Sequence, residues 1–586
     1  MSYNADLGRV AGQLIMRDFA ALYAELDATT RTSEKVAALT RYFRAAPPAD
    51  AAWATYFLIG RRPRQAVPVA RLRAWAAEAA SIPDWLFEEC YATVGDLAET
   101  IALLTSQAGD APANRPLAAW IEEALLPLRT ADPAEQKRLV TAAWAQLTDR
   151  ERFVWNKLIT GAFRVGVSQK LVVRALAELS GLDEPTIAHR LMGDWQPSAA
   201  FFAHLIGSDT RDADPGRPFP FFLAYALEAK LPTDDRGRLL DADPAIFAQT
   251  LQSALGDLSD WQAEWKWDGI RAQLIRRRGQ TFLWSRGEEL VTDRFPELAA
   301  IGEHLPDGST LDGEIMPFKD GQPLPFSVLQ TRIGRKTLTR RALSEAPVVL
   351  FAYDLLEHEG SDVRSRPLRW RREQLERLVT AVNRPALRLS LLVQADSWEA
   401  LGCCQKASRA HQAEGLMLKR LDSAYGVGRV VGDWWKWKVA PYSVDAVLIY
   451  AQAGHGRRAG LFTDYTFAVW DGDPAAGGRL VPFAKAYSGL SDAEMRRVDA
   501  FVRANVVEKF GPVRAVKPQL VFELGFEGIQ RSARHKSGIA VRFPRILRLR
   551  EDKRIEEADS LDAIRALLPA EPSSASSPGY SQARSA

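Results

Sequence analysis

The chain has 586 residues, of which 47% are apolar and 25% are charged, and its formal net charge is +3. This composition is typical of a folded protein with several domains, and it excludes a chain that is basic throughout. Three cysteines are too few for a four-cysteine zinc site or a disulfide framework, and no apolar run approaches the roughly 18 residues of a membrane span. Because the first residues also lack the apolar core of a signal peptide, we expect a cytoplasmic protein that makes no contact with a membrane.

Residues 1–205 carry the pattern of an all-α domain. Apolar side chains recur at helical spacing through this part of the chain, and strand signals are scarce. In one such segment, Ser168 can cap a helix that ends at Gly181. The next residues, 206–225, are rich in Gly, Pro and Asp and are predicted to form a linker.

The pattern changes in the second half of the chain. Short strand-like runs such as 281-TFLWS-285 and 348-VVLFAYDLL-356 alternate with helical segments, which predicts an α+β domain over residues 226–440. Strand-like runs dominate residues 441–565, as expected for a small β-barrel. The last residues, 566–586, are rich in Ser, Pro and Ala and are predicted to be a disordered tail.

A lysine between two tryptophans opens the most informative part of the chain. The sequence 264-EWKWDG-269 belongs to a strand-like run, so Lys266 is predicted near the end of a strand. A single Lys-x-Asp-Gly is common, and its ordinary explanation is a strand that ends in a turn. A catalytic role for Lys266 therefore depends on further charged clusters along the chain.

Six further clusters follow Lys266 in order. They are 285-SRGEE-289, 311-LDGEI-315, 351-FAYD-354, 414-EGLMLK-419, 434-WWKWK-438 and 542-RFPRILRLREDK-553. Together with the lysine they resemble the motif series of the covalent nucleotidyltransferases, the superfamily of DNA ligases, RNA ligases and capping enzymes. The resemblance implies an α+β nucleotidyltransferase domain that is followed by a β-barrel of the OB-fold type.

The N-terminal half narrows the resemblance to ATP-dependent DNA ligases of the bacterial type. The stretch 158-LITGAFRVGVSQKLVVRALAEL-179 resembles their all-α DNA-binding domain, in which two helices joined by a Gly-containing turn contact the duplex backbone. Residues 525–546 resemble the barrel domain of a DNA ligase, and the missing four-cysteine zinc site argues against the NAD-dependent class. The resemblance implies a monomer that encircles nicked duplex DNA in repair, replication or recombination. Basic clusters at 332–341 and 531–554 favour the same polyanionic partner.

The resemblance also implies a reaction in three steps. Lys266 attacks the α-phosphate of ATP, the AMP passes to a DNA 5′-phosphate, and a 3′-hydroxyl then displaces the AMP. The amine must be neutral to attack, yet a free lysine with a pKa of about 10.4 is only about 0.1% neutral near pH 7.5. Cations and partial burial lower the pKa of a lysine, and Lys436, Lys438 and Mg²⁺ are the cations expected here.

The same resemblance assigns the remaining motif residues to the metal and the nucleotide. Mg²⁺, or Mn²⁺ in its place, is expected at Glu314 and Glu414, because hard cations prefer carboxylate oxygens. Tyr353 is expected to stack on adenine, at a position where many family members have Phe. The nucleotide-binding set further includes Glu264, Arg271, Arg286, Glu314, Arg429, Lys436, Lys438, Arg542, Arg550 and Lys553.

The last three of these residues belong to the barrel domain. They are expected to close over ATP and orient the pyrophosphate, after which the domain turns away about a hinge at 439–443.

Three other classes of protein fit parts of this pattern. An RNA ligase or guanylyltransferase would use the same lysine, although the helical N-terminal half argues against it. A DNA-binding protein with a decayed nucleotide pocket would have lost some charged motif residues, and all of them are present. A helical scaffold would not need the C-terminal motifs.

Overall fold

A computed structural model describes residues 15–62, 65–106, 114–161, 163–208, 216–231, 244–333, 335, 338–454 and 460–568. Within these ranges, no helix is both long enough and apolar enough to cross a membrane. Most of the predicted tail, residues 569–586, and the middle of the predicted linker, residues 209–215, lie outside the described residues.

The N-terminal part of the chain is helical, as the sequence predicts, and its described residues contain no strand before residue 222. Helix α10 begins directly after Ser168, whose side chain does not make the capping hydrogen bond that the sequence suggests, and it ends before Gly181, whose φ of 73° suits a glycine at a helix C-terminus. The helices are α1 (Met16–Ala28), α2 (Thr32–Ala45), α3 (Pro48–Leu58), α4 (Val69–Ala79), α5 (Asp84–Val94), α6 (Leu97–Leu104), α7 (Leu117–Trp120), α8 (Pro133–Gln146), α9 (Asp149–Thr160), α10 (Gln169–Ser180), α11 (Glu184–Arg190) and α12 (Ala199–Ile206).

The central part is an α+β region built on two sheets. Its strands are β1 (Phe222–Leu223), β2 (Tyr225–Ala226), β3 (Trp261–Trp267), β4 (Ile270–Arg277), β5 (Gln280–Ser285), β6 (Ser309–Lys319), β7 (Gln322–Pro323), β8 (Val348–His358), β9 (Ser361–Asp362), β10 (Leu387–Leu389), β11 (Ala413–Arg420), β12 (Gly428–Arg429) and β13 (Trp434–Lys438). Its helices are α13 (Pro244–Leu255), α14 (Pro296–Gly302), α15 (Phe326–Ile333), α16 (Arg340–Glu345), α17 (Leu368–Val382) and α18 (Trp398–Lys406).

The larger central sheet has the strand order β10-β8-β6-β4-β5, and the smaller one has the order β2-β13-β11-β3. Each sheet buries its own apolar cluster against its helices. A third cluster joins them, and in it the Trp267 ring of β3 stacks on the Phe351 ring of β8 with centroids 4.8 Å apart. The two sheets therefore form adjoining layers, and the site described below draws on both.

The end of the predicted linker is packed against the larger sheet. Phe219 and Phe222 are buried, and the backbone of Phe219 exchanges two hydrogen bonds of 2.8 Å with the side chain of Gln273 on β4. His189 of α11 stacks on the Phe219 ring at a centroid distance of 5.2 Å. The sequence predicts only a Gly-, Pro- and Asp-rich connection here, whereas Phe219 and Phe222 belong to a buried apolar cluster with Leu356, Tyr425 and Trp434.

The C-terminal part is a sheet region, as predicted. Strand β14 pairs with β15 on one side and with both β18 and β19 on the other, so the sheet curves into a partial barrel. The elements are β14 (Tyr442–Ala453), β15 (Phe462–Asp471), β16 (Arg479–Ala486), α19 (Asp492–Ala504), β17 (Val506–Phe510), β18 (Val513–Val516), β19 (Val521–Phe526), β20 (Gly528–Arg531), β21 (Ile539–Arg542), β22 (Arg545–Leu549) and α20 (Leu561–Arg565).

The described residues fall into two compact units. Over the described residues, one unit draws on residues 15–30, 56–166 and 440–568, and the other on residues 31–55 and 167–439. The chain passes from the second unit to the first between Val439 and Ala440, within the segment that the sequence suggests as a hinge. The domain limits predicted from the sequence remain predictions.

Candidate active site

Lys266 is the penultimate residue of β3, so its side chain is presented near the strand end, as predicted. Its Nζ lies 2.5 Å from Oε2 of Glu414 on β11, the neighbouring strand. The two side chains are 22% and 20% exposed, so the ion pair is partly shielded but still open to a ligand. After β3 the chain turns through Gly269, where a Cβ would lie 2.4 Å from the carbonyl oxygen of Ile315. Only glycine allows this close approach of the turn to β6.

A bulge in β11 places Glu414 beside the lysine. The pairing of β11 with β3 shifts register between Ala413 and Leu416. Within this bulge Gly415 has a φ of 143°, and a Cβ there would lie 2.1 Å from the carbonyl oxygen of Trp437. A bulge redirects side chains from the regular alternation of a strand, and here it accompanies the turn of Glu414 toward Lys266.

The next strand, β13, adds two more cations. Lys438 Nζ lies 3.6 Å from the same Glu414 oxygen. Burial lowers the pKa of Lys436, and the positive charges of Arg429, Lys438 and Lys266 lower it further. Four cationic groups therefore act on one small region, in which Glu414 pairs with Lys266 and Lys438. Such an excess of positive charge suits a polyphosphate.

The larger sheet contributes a clamped arginine. Arg271 on β4 makes two hydrogen bonds to Asp312 on β6, of 3.2 Å and 2.6 Å, and donates a third of 2.6 Å to the carbonyl oxygen of Phe222. The hydroxyl of Tyr425 donates to Asp312 at 2.6 Å, and that of Tyr353 does so at 3.3 Å. The sequence assigned Arg271 and Tyr353 but missed Asp312 and Tyr425. The signal for Asp312 was its place in 311-LDGEI-315, directly before a glycine and Glu314.

Glu314 is the cross-strand neighbour of Arg271 in the larger sheet. Burial raises the pKa of Glu314 to about 7, and the charges of Lys266, Arg271 and Arg286 oppose that rise. Glu314 and Glu414 therefore face the lysine from two different sheets. Two carboxylates fit a hard divalent cation, which takes one or two protein carboxylates and keeps several waters. The described residues contain no cluster of three or more metal-binding side chains.

A second ion pair lies deeper, behind the nucleophile. Lys419 Nζ lies 2.8 Å from Oε1 of Glu264, and both side chains are fully buried. The same ammonium lies 4.2 Å from the centre of the Tyr353 ring and 4.6 Å from that of Trp434. Through Lys419, Glu264 is therefore linked to Tyr353, the residue predicted to stack on adenine. The sequence did not single out Lys419, although it ends the motif 414-EGLMLK-419.

The last motif residues lie in the unit that contains the C-terminal sheet. Arg550 and Lys553 both contact Asp445 of β14, and Arg550 also pairs with Asp552. The hydrogen bonds from Arg550 lower the pKa of Asp552 to about 2. The Arg542 guanidinium lies 5.1 Å from the centre of the adjacent Phe543 ring.

Three family models match the chain in consecutive segments. The DNA ligase N terminus matches residues 16–177, the ATP dependent DNA ligase domain matches residues 245–438, and the ATP dependent DNA ligase C terminal region matches residues 458–553. The central match contains Lys266 and the carboxylates and cations around it.

Curated relatives extend over nearly the whole chain. A probable DNA ligase of Koribacter versatilis is 34% identical over 578 residues, which cover 91% of this chain and 93% of the relative. DNA ligase 1 of Korarchaeum cryptofilum is 27% identical, with 94% of this chain and 98% of the relative covered. The solved structure named Pmar-Lig_PreS3 matches with a TM-score of 0.57 and 14% identity, covering 91% of this chain and 99% of that one, and it supports the fold alone.

The site contains a lysine at a strand end, surrounded by carboxylates and cations from two sheets. This arrangement is typical of the covalent nucleotidyltransferases. The helical N-terminal part and the C-terminal sheet complete a multidomain ligase. The chain belongs to the ATP-dependent DNA ligases. It is an enzyme of the family that uses ATP and a divalent metal and seals DNA through a lysine-AMP intermediate.

Proposed function

We propose that this ligase seals nicks in duplex DNA and that Lys266 carries the AMP. The observation that supports the assignment best is the 2.5 Å contact of Lys266 Nζ with Glu414, at a strand end where Lys438 and Lys436 gather further positive charge. The expected cellular roles are repair, replication and recombination. The cytoplasmic location expected from the sequence stays a prediction.

In the first step the Lys266 amine attacks the α-phosphate of ATP. A nitrogen–phosphorus bond forms, the bond from the α-phosphate to pyrophosphate breaks, and the amine loses a proton. Lys436, Lys438, Arg429 and Arg286 oppose the negative charge on the phosphates. Phosphoryl transfer depends mainly on such positioning and electrostatic stabilisation.

The nucleoside is held by the residues of the larger sheet and the buried ion pair. Arg271 is fixed by Asp312, so its guanidinium reaches ribose or phosphate oxygens from one set position. Tyr353 offers an aromatic ring for adenine, and its hydroxyl joins it to Asp312. Glu264, held by Lys419, supplies a carboxylate next to the same ring.

Mg²⁺, with Mn²⁺ as its substitute, is the divalent metal that we assign to Glu314 and Glu414. The metal supplies neutralisation of phosphate charge when it is bound. The two carboxylates come from β6 and β11, so they can hold a cation where the two sheets adjoin.

The C-terminal sheet region supports three further proposals, on its fold, on DNA binding and on the last motif. We assign the C-terminal sheet to the OB-fold, because one long strand, β14, pairs with three partners and begins to close a barrel. We further propose that the enzyme works as a monomer that encircles nicked duplex DNA. In the last motif, Arg542, Arg550 and Lys553 act on the triphosphate when the barrel domain closes.

One experiment tests the proposed function at its centre. The protein is incubated with Mg²⁺ and α-labelled ATP, or with α-labelled GTP or labelled NAD, and label that stays on the denatured chain in gel electrophoresis is measured before a nicked duplex is added. We expect label from ATP alone, its location on Lys266 by peptide mapping, and its loss when the nick is sealed. Stable label from GTP, or label mapped to another residue, would refute the assignment.

A further inference from the structure

Asp445 lies at the start of the C-terminal sheet and receives both cations of the last motif. Arg550 Nη1 lies 3.1 Å and 2.9 Å from its two carboxylate oxygens, and Lys553 Nζ lies 2.6 Å from Oδ2. Asp445 lies 105 positions before Arg550 and 108 before Lys553, so no local sequence pattern brings it to the two cations. The carboxylate is buried, whereas the Lys553 side chain is 28% exposed.

The two cations are held in different ways. The Arg550 guanidinium donates hydrogen bonds from Nη1 to Asp445, and from Nε and Nη2 to Asp552 at 2.9 Å and 2.8 Å. These bonds engage all three of its nitrogens and fix the plane of the group. An ammonium has three donors, so Lys553 can hold Asp445 with one and still donate to a phosphate with the others.

Asp445 is itself fixed by the backbone. Its N–H donates to Oδ2 of Asp559 at 2.8 Å, and its carbonyl oxygen accepts from the N–H of Asp559 at 2.9 Å. On the other side it pairs with Glu523 in the β14–β19 ladder. A carboxylate held at both ends of its own backbone provides a firm anchor for two long, flexible side chains.

We propose that Asp445 is a positioning residue for the first step, which holds the Lys553 ammonium in place for the departing pyrophosphate while Arg550 braces it. The inference rests on the proposed role of the last motif. It assigns direct phosphate contact to Lys553 and a supporting position to Arg550, rather than the same role to both.

The charges around Lys553 distinguish a positioning role of Asp445 from a purely electrostatic one, because the two roles predict rate changes in opposite directions. Arg550 and Lys553 carry two positive charges, and Asp445 and Asp552 carry two negative ones, so the group is neutral as a whole. Asp445→Asn would give it a net positive charge. If charge alone mattered, this variant would bind triphosphate better and react faster. If Asp445 acts by positioning, the variant reacts more slowly despite its gain in positive charge.

The test compares two single-turnover rates, the formation of the lysine-AMP adduct from ATP and the sealing of a pre-adenylated nick. We expect Asp445→Asn to slow adduct formation about 10- to 100-fold, the range that follows from a small misplacement of a catalytic group. Sealing of the pre-adenylated nick should stay within about twofold of wild type, because pyrophosphate has already left. The pyrophosphate concentration that half-discharges the adduct should rise, which a purely structural defect would not cause.

Three further variants separate positioning from general damage. Lys553→Ala should slow adduct formation, and adding Asp445→Asn to it should cause little further loss if the two residues act together. Asp471→Asn removes another carboxylate of the same sheet, the partner of Arg479 at 3.6 Å, and should leave both rates near wild type. Asp445→Glu keeps the charge, and partial recovery of the rate would provide a test even if Asp445→Asn folds poorly.

Each other result has a definite meaning. Adduct formation at or above the wild-type rate in Asp445→Asn, or equal losses in both steps with an unchanged melting temperature, would overturn the inference. A Lys553→Ala enzyme that forms the adduct normally would overturn the proposed role of the last motif itself. Normal adduct formation in Asp445→Asn beside a crippled Lys553→Ala would overturn only the inference about Asp445.

Discussion

Lys266 and Glu414 form an ion pair of 2.5 Å across neighbouring strands, next to the register shift of β11 that contains Gly415. The attacking amine must be neutral with its lone pair free, so Lys266 has to part from Glu414 before it attacks ATP. The same carboxylate is one of the two that we assign to the metal. On that assignment the metal and the lysine compete for Glu414, and the ion pair has to open when the ligands bind.

The first prediction concerns this lysine. Lys266→Ala should abolish the covalent AMP adduct, so joining from ATP should fall below detection. Sealing of a pre-adenylated nick should persist at a measurable rate, because that step needs no amine nucleophile. Gel detection of labelled adduct and of sealed product in parallel would check it, and an adduct of undiminished yield would contradict the assignment.

The second prediction concerns the hydroxyl of Tyr425, which donates to Asp312 at 2.6 Å and thereby fixes Arg271. Tyr425→Phe removes one hydrogen bond from the buried Asp312 carboxylate, and an unsatisfied buried acceptor costs about 1–3 kcal/mol of free energy. We expect the KM for ATP in adduct formation to rise about tenfold. Tyr353→Phe is the matched control, because its hydroxyl lies at the longer distance of 3.3 Å, and it should change the KM less. A larger effect from Tyr353→Phe would reverse the order that the geometry implies.

The third prediction concerns the bulge in β11. A Cβ at Gly415 would lie 2.1 Å from the carbonyl oxygen of Trp437, so Gly415→Ala must displace Glu414 or open the β11–β13 pairing. Adduct formation should fall by about 100-fold or more, the scale of a displaced catalytic group. Gly402→Ala is the control, because its Cβ would make an ordinary contact of 3.7 Å with the same tryptophan. Equal activity of the two variants would show that the bulge does not matter.

The fourth prediction concerns pH. Burial, together with the positive charges of Arg364, Arg217 and Arg277, lowers the pKa of His189 from 6.5 to about 3. The unfolded chain therefore binds a proton between about pH 6.5 and pH 3 that the folded chain does not, so this residue destabilises the fold as the pH falls through that window. The loss is at most about 1.4 kcal/mol per pH unit.

His189→Phe keeps an aromatic ring against Phe219 and removes the titration. Its melting temperature should fall less steeply than that of wild type between about pH 6.5 and pH 4.5. The same replacement at the exposed His304 serves as the control. Parallel pH profiles for wild type and His189→Phe would contradict the prediction.

The fifth prediction concerns salt. If Lys and Arg hold the phosphates of the nicked duplex, the logarithm of the affinity should fall linearly with the logarithm of salt concentration. Binding measured by fluorescence anisotropy between about 50 and 200 mM salt should weaken by about 10³-fold or more if six or more phosphates are contacted. Adduct formation without DNA should change far less over the same range. A flat affinity would argue against an electrostatic DNA interface.

The sequence was most informative where chemistry requires a residue type at a fixed place in a motif. Lys266 could be placed near a strand end, and Glu314, Glu414, Lys436 and Lys438 could be chosen, because each stands in a short motif with a known order. The structure brings Glu414 and Lys438 to the lysine. Their roles toward ATP and metal remain predictions.

The partners that hold these residues could not be chosen in the same way. Asp312 meets Arg271 through the register of β4 and β6, and Lys419 meets Glu264 across β11 and β3. Strand pairing between distant segments leaves little trace in local sequence. For the same reason, the contact between Asp445 and Lys553 could not be predicted, because Asp445 is a single acid within a largely apolar strand.

The stacked rings of Trp267 and Phe351 determine what a substitution at either position would do to catalysis. They join the sheet that carries Lys266 to the sheet that we assign to the nucleoside, at a centroid distance of 4.8 Å. On that assignment, the thickness of this aromatic contact sets the distance between the Lys266 amine and the α-phosphate of bound ATP. A smaller or larger side chain at either position would leave both binding surfaces intact and alter the gap between them. Such an enzyme would keep a near-normal KM for ATP, but its rate of adduct formation at saturating ATP would be low.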